Sequence, residues 1–292
     1  MKDFQIFSDS SCDCPKELME KYQITRIPYY VSFDQQVYKK EIEELSIPDF
    51  YDQLTSEKIF PKTSLPSIED YCNFFKTALD QGKDVLCFCL SSKFSGSYQS
   101  AVTAQNILSE KYPDAAIYIV DSITATGAQG LTVLQAAKLK ERGCSITETY
   151  EKIQDLKETS RIMFTVGTLE YLQKGGRVGK VSALAGNLLN LKPLIVLHDK
   201  ELFPAGTVRG RNKSLTKIIS MTEEYFKEHQ LSYDDYDFCV AVGLEYEDAN
   251  KVKEATEALI GREISYPLFQ IGVTIGTYTG PDAVGVCFIK KP

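Results

Sequence analysis

The chain alternates between short unbroken apolar runs and longer stretches in which apolar residues recur every three or four positions. The first pattern fits buried strands and the second fits helices with one buried face. Strand-like runs occupy residues 3–8, 25–34, 84–90 and 115–122. Helical stretches run from Pro15 to about Tyr22, over 48–56, from Ser67 to about Leu79, from Tyr98 to about Lys111, from Ala125 to Arg142 and from Ser145 to about Thr159. Ser67 with Asp70, and Ser145 with Glu148, have the spacing of capping boxes. Gly143 stops the helix before it. Strands alternating with helices predict a mostly parallel sheet covered on both faces. Three of these strands end in small polar clusters: Ser8–Ser11, Ser91–Ser97 and Asp121–Thr126. In open α/β sheets the ligand crevice lies outside those strand ends.

After residue 160 the order changes. Residues 161–168 read as a strand, 169–174 as a short helix and Gly175-Gly176-Arg177 as a tight turn. A helix over 181–191, a strand hairpin over 192–208, a helix over 211–229, a strand over 237–244 and a helix over 248–260 follow. The remainder, EISYPLFQIG, VTIGTYTG and AVGVCFIKK, reads as strands. The predicted class is α/β in two lobes: residues 1–160 as a mostly parallel sheet flanked by helices, and 161–292 as an α+β lobe, with a ligand between them.

A chain of 292 residues with 43% hydrophobic and 25% charged content has the composition of a globular protein with a large core. No apolar run reaches the roughly 20 residues of a membrane span, and the N-terminus reads as a strand and not as a signal peptide. The expected location is cytoplasmic. A net charge of −7 speaks against a nucleic-acid partner, which would need clustered Lys and Arg. Eight cysteines without an export signal are expected to be reduced. Cys12 and Cys14 lack a second ligand pair, and the two histidines, His198 and His229, sit in no motif, so no metal site is expected.

Nucleotide signatures fail on inspection. In GGRVGKVS, Val181 stands where a P-loop needs Ser or Thr. FSGSYQ is not a nucleophile elbow. A Ser-dependent hydrolase or acyl transferase using Ser95 would need a base beside it, and neither histidine is an obvious candidate. What remains is a set of small hydroxyl-bearing and Gly-rich segments: Thr63 with Ser64, Ser95-Gly96-Ser97, and residues 276–285. Glycines there let a ligand approach backbone N–H groups closely. The pattern favours binding over catalysis.

KTSLP at 62–66, LSSKFSGSYQSA at 90–101, VDS at 120–122, LEYLQKGGRV at 169–178, LKP at 191–193, VRGRNKSL at 208–215 and TYTGPDAVG at 277–285 occur in one order along the whole chain. As an ordered set they resemble the DegV family, the fatty-acid-binding subunits of bacterial fatty acid kinase. The resemblance implies a two-lobed carrier of one long-chain fatty acid, with no cofactor and no catalytic residues of its own. A separate kinase subunit would phosphorylate the bound acid. It implies that Thr63 and Ser95 hold the carboxylate, with Ser64, Gly96, Ser97 and Tyr278 in the same ligand-binding set. It places Arg177 and Arg209 near the head group or in partner docking. A transient contact with a membrane surface, and a lipid-sensing module without a kinase, stay open beside it. The chain departs from the family pattern H-x-G-P-G by carrying Tyr278 for the His and Asp282 for the last Gly, and Ser97 for the usual Thr.

Overall fold

The computed structural model describes residues 2–56, 59–184 and 191–292. Up to residue 160 it contains strands β1 (Phe4–Asp9), β2 (Thr25–Ile27), β3 (Tyr30–Ser32), β4 (Lys39–Lys40), β5 (Lys62–Ser64), β6 (Asp84–Cys89) and β7 (Ile117–Asp121). Its helices there are α1 (Lys16–Lys21), α2 (Ile47–Ser56), α3 (Ile68–Leu79), α4 (Ser97–Lys111), α5 (Thr126–Glu141) and α6 (Ile146–Lys157). The first sheet is parallel, in the order β2-β1-β6-β7. Every residue of β6 is buried, as expected of an inner parallel strand covered on both faces. The strand period of two sorts its side chains. Val85, Cys87 and Cys89 join Phe7, Ile117 and Ile119 under α3 and α4, while Leu86 and Phe88 join Phe4, Ile6 and Val120 on the other face. Both predicted capping boxes form, at Ser67/Asp70 and Ser145/Glu148.

Beyond residue 160 come β8 (Arg161–Thr165), α7 (Glu170–Lys174), β9 (Leu191–His198), β10 (Glu201–Arg209), α8 (Arg211–Glu228), β11 (Tyr236–Val242), α9 (Tyr246–Ile260), β12 (Phe269–Gln270), α10 (Val273–Thr279) and β13 (Val284–Lys290). Their sheet is mixed, in the order β10-β9-β8-β13-β11-β12. Helix α5 is buried almost all round and packs on β11 and β13 as well as on β1. It is a shared middle layer, so one apolar cluster runs from the first sheet into the second. A third, antiparallel sheet, β4-β3-β5, packs with α2 and α10 around Val31, Phe50, Tyr51 and Val273.

Four segments depart from the sequence pattern. The strand expected over 25–34 breaks at Pro28: β2 stays in the parallel sheet and β3 turns into the antiparallel one. Proline has no N–H for the ladder, which makes this the natural breaking point. The expected strand VTIGTYTG is the helix α10. Its β-branched residues suggest a strand, but Thr277 and Thr279 hydroxyls donate to the carbonyls of Val273 (2.9 Å) and Ile275 (3.2 Å) one turn earlier, and burial of residues 273–277 supplies the stabilisation. Of EISYPLFQIG only Phe269–Gln270 pairs as a strand. The helix expected over 181–191 is a 3₁₀ stretch at Gly179–Leu184; residues 185–190 lie outside the described residues, and Leu191 already belongs to β9.

Candidate functional site

A cavity opens between the ends of the parallel strands and one face of the mixed sheet. The space within it, open solvent at its mouth included, comes to about 990 Å³. Its floor crosses the mixed sheet: Leu202 on β10, Leu197 on β9, Ile162 and Phe164 on β8, Gly285 on β13 and Ala241 on β11. Phe164, Gly285 and Ala241 stand in one register row, so they share a face. Leu65, Leu90, Phe94, Ile271 and Ile275 close the apolar walls.

The polar end is built where β6 runs out. Leu90 N–H donates to Asp9 Oδ2 at 2.8 Å, which ties the end of β6 to the end of β1. Asp9 is fully buried and also accepts from Ser11 Oγ (2.6 Å), Gln129 Nε2 (2.8 Å) and Ser97 Oγ (2.8 Å). Burial pushes its carboxyl up from the usual range, and these four donors oppose that shift. Ser97 is thereby committed: it donates to Asp9 and shares a 2.5 Å bond with the Tyr71 hydroxyl.

Ser95 is one residue before the helix N-cap, Gly96. Its Oγ accepts from the Tyr29 hydroxyl (2.8 Å) and from Ser97 N–H (3.2 Å). Burial, and then the neighbouring Asp9, push the Tyr29 phenol well above its usual range, so it stays protonated and a donor. Opposite, Thr63 Oγ1 and Tyr278 Oη lie 2.6 Å apart. The Arg177 guanidinium stands 5.1 Å from the centre of the Tyr278 ring and donates to the carbonyls of Phe94 (3.3 Å) and Gly175 (2.7 Å). Gly175 is required there: a Cβ would fall 2.2 Å from the Tyr278 ring.

Of the residues singled out in the sequence, Thr63, Ser95, Gly96, Arg177 and Tyr278 line this one cavity. Three do not. Ser64 follows Thr63 on β5, points to the opposite side and is exposed. Ser97 lies behind the wall, held by Asp9 and Tyr71. Arg209 is exposed at the end of β10. Asp282, which stands where the family pattern has its last Gly, also does not line the cavity; its carboxylate packs over Gly167, where a Cβ would meet Asp282 Oδ2 at 1.9 Å. Tyr29, Thr126 and Thr274 are polar lining residues that sequence reasoning missed, and Tyr29 is the one bonded to Ser95. Within a β-branched and aromatic run it reads as core, and the one available signal was Pro28, which ends β2 and delivers Tyr29 to the strand-end crevice. Among the described residues no group of His, Cys, Asp or Glu is arranged to hold a metal ion, and no helix is long and apolar enough to cross a membrane.

Comparison with known proteins agrees with this architecture. The DegV family model matches residues 3–291. A fatty acid-binding protein of Thermotoga maritima is 33% identical over 290 residues, covering 96% of each chain. The DegV protein of Bacillus subtilis is 30% identical, covering 98% of this chain and 99% of that one. The crystal structure of a stearic acid-binding protein from Eubacterium ventriosum matches with a TM-score of 0.93 at 34% identity, over 99% of this chain and 98% of the other. With the match running from the first strand to the last, this chain belongs to the DegV family.

Proposed function

We propose that this protein binds one long-chain fatty acid, with the tail in the apolar trough and the carboxylate among Thr63, Ser95, Gly96 and Tyr278, and presents it to a fatty acid kinase. The observation that carries this reading is the cavity itself: an apolar floor across five strands that ends in a cluster of uncharged hydroxyls. Relatives covering the full chain are fatty acid-binding proteins, which supports the same ligand class.

The hydrogen count suits an anion that only accepts. Thr63 and Tyr278 together carry two hydroxyl protons; one is used between them and one is left for a ligand oxygen. Ser95 uses both lone pairs as acceptor, so its own proton is free for the ligand. The same count argues against the hydrolase reading. A nucleophilic serine needs a free lone pair and a base to take its proton. His198 instead bonds to Asp199 and His229 to the Tyr225 carbonyl.

The tail would supply the affinity. About fifteen buried methylenes at ~0.8 kcal/mol each give roughly 12 kcal/mol as an upper bound, before the entropy lost on binding. Each head-group bond adds about 1–3 kcal/mol, so the hydroxyls chiefly orient the carboxylate. Exposed Arg177 beside that carboxylate suits the phosphoryl group of an acyl-phosphate product. Such a carrier would work in the cytoplasm and touch the membrane surface only in passing.

Mass spectrometry of lipid extracted from the purified protein tests the ligand. A C16–C18 fatty acid in near-stoichiometric amount is expected; an empty cavity or a non-acyl ligand would overturn the reading. Incubation of the loaded protein with a bacterial fatty acid kinase and ATP tests the second half. Acyl-phosphate should form at a rate that falls in Ser95→Ala, and its absence would leave a lipid-sensing module.

A further inference from the structure

We propose that Tyr29 is a positioning residue of the head-group site, holding Ser95 as a one-way hydrogen-bond donor and so setting the preference for a carboxylate over an alcohol. The proposal rests on the fatty-acid reading above.

A serine hydroxyl has one proton and two lone pairs and rotates to suit its neighbours. An unconstrained Ser95 could therefore donate to a carboxylate or accept from a ligand hydroxyl. Tyr29 removes that choice. Its O–H donates to Ser95 Oγ at 2.8 Å, and Ser97 N–H takes the second lone pair at 3.2 Å. The Tyr29 backbone is itself pinned: its N–H donates to Ser10 Oγ, and its carbonyl accepts from Glu41 N–H. The residue is 2% exposed and lines the cavity. Burial keeps the phenol protonated, so its O–H stays available to donate to Ser95. A ligand hydroxyl facing Ser95 can then only accept, and its own proton is left to find another partner. A carboxylate oxygen has no such proton. The device discriminates by denying the proton of the wrong head group an acceptor on Ser95.

The test uses delipidated full-length protein and displacement of a fluorescent fatty-acid probe by hexadecanoic acid or 1-hexadecanol. In wild type the acid should bind more tightly than the alcohol. Tyr29→Phe keeps the ring and removes the hydroxyl, which frees one lone pair on Ser95. Acid affinity should fall about tenfold, the scale of one charge-assisted hydrogen bond, while alcohol affinity holds or rises. A purely structural role for Tyr29 would weaken both ligands equally and leave their ratio unchanged, which would overturn the proposal. In a Ser95→Ala background the same change should leave the acid-to-alcohol ratio where it is, because the group being positioned is gone. Tyr29→Met, which fills the space without a ring or a hydroxyl, should reproduce the fall in ratio if the phenylalanine variant folds poorly. Loss of the fatty-acid reading looks different: wild type would then show no acid preference, and Ser95→Ala would change nothing.

Discussion

At the scale of single residues, the proposed head-group site depends on where each proton can go. Thr63 and Tyr278 share a 2.6 Å bond, so removing either hydroxyl leaves the other with a proton and an altered direction. Thr63→Val and Tyr278→Phe are each expected to weaken fatty-acid binding by about 1 kcal/mol. The double variant should lose less than the sum, because the two act as one donor. Titrations of the four proteins with hexadecanoic acid check this, and strict additivity would show that the pair does not work together. Much of this site was legible in the sequence as ordered motifs: Thr63, Ser95, Gly96, Arg177 and Tyr278 do converge. Side-chain direction was less legible. Thr63 and Ser64 look alike in KTSLP, and only the alternation along β5, set by pairing with β3, sends one inward and the other out. Ser97 looks equivalent to Ser95 until Asp9, 88 positions away, claims its proton.

At the scale of elements, α10 is the part that both misled the sequence reading and matters most to the site. It carries Ile275 and Tyr278 into the cavity, and its own sequence favours a strand. Tertiary contacts hold it as a helix: Gly276 lies so close to α2 that a Cβ would come 2.8 Å from the Tyr51 hydroxyl and 2.9 Å from Phe50. Gly276→Ala is therefore expected to lower stability by about 1–3 kcal/mol through overpacking, read as a lower urea midpoint. At its other end, Gly272 N–H donates to buried Asp13, and Thr274 donates through both N–H and Oγ1 to buried Glu41. Burial, and then the neighbouring Glu41, push the Asp13 carboxyl well above its usual range. The sign follows from linkage. A carboxyl raised in the folded state contributes stability below its unfolded pKa of about 4, and that contribution is lost as pH rises through the folded value. Asp13→Asn keeps an acceptor for Gly272 N–H and adds an N–H₂ where Thr126 Oγ1 lacks a partner. It should raise the melting temperature at pH 8 by a few degrees, with the gain vanishing near pH 4. A gain that is the same at both pH values would show that ionisation of Asp13 is not its source. Local propensity shows none of this, because the compensating groups on β3–β4, α2 and the end of β1 are more than 200 residues away in the chain.

At the scale of the whole molecule, the cavity lies between the parallel-sheet half and the mixed sheet. The alternation of strands and helices made the first sheet legible; α5 as a middle layer serving both sheets was not, since an all-round buried helix has no apolar stripe to say what it faces. A ligand that binds only the folded chain adds RT ln(1 + [L]/Kd), about 2.7 kcal/mol at a hundredfold excess over Kd. At roughly 2–4 °C per kcal/mol for a chain of this size class, delipidation should lower the melting temperature by about 5–10 °C, and added fatty acid should restore it. The geometry also says how the recovery should depend on chain length. The floor runs from β10 to β11 in the order β10-β9-β8-β13-β11, which is four strand gaps, or about 19 Å at about 4.8 Å each. An extended chain advances about 1.3 Å per bond, so some fifteen bonds span the floor. Each methylene up to that length adds at most ~0.8 kcal/mol, and those beyond it find no wall to cover. Thermal shifts for saturated acids from C10 to C20 at one concentration should climb steadily to about C16 and then flatten. A shift independent of chain length would mean that the tail does not lie across this floor, and an optimum at C10 would mean that it reaches only the strands nearest the hydroxyls.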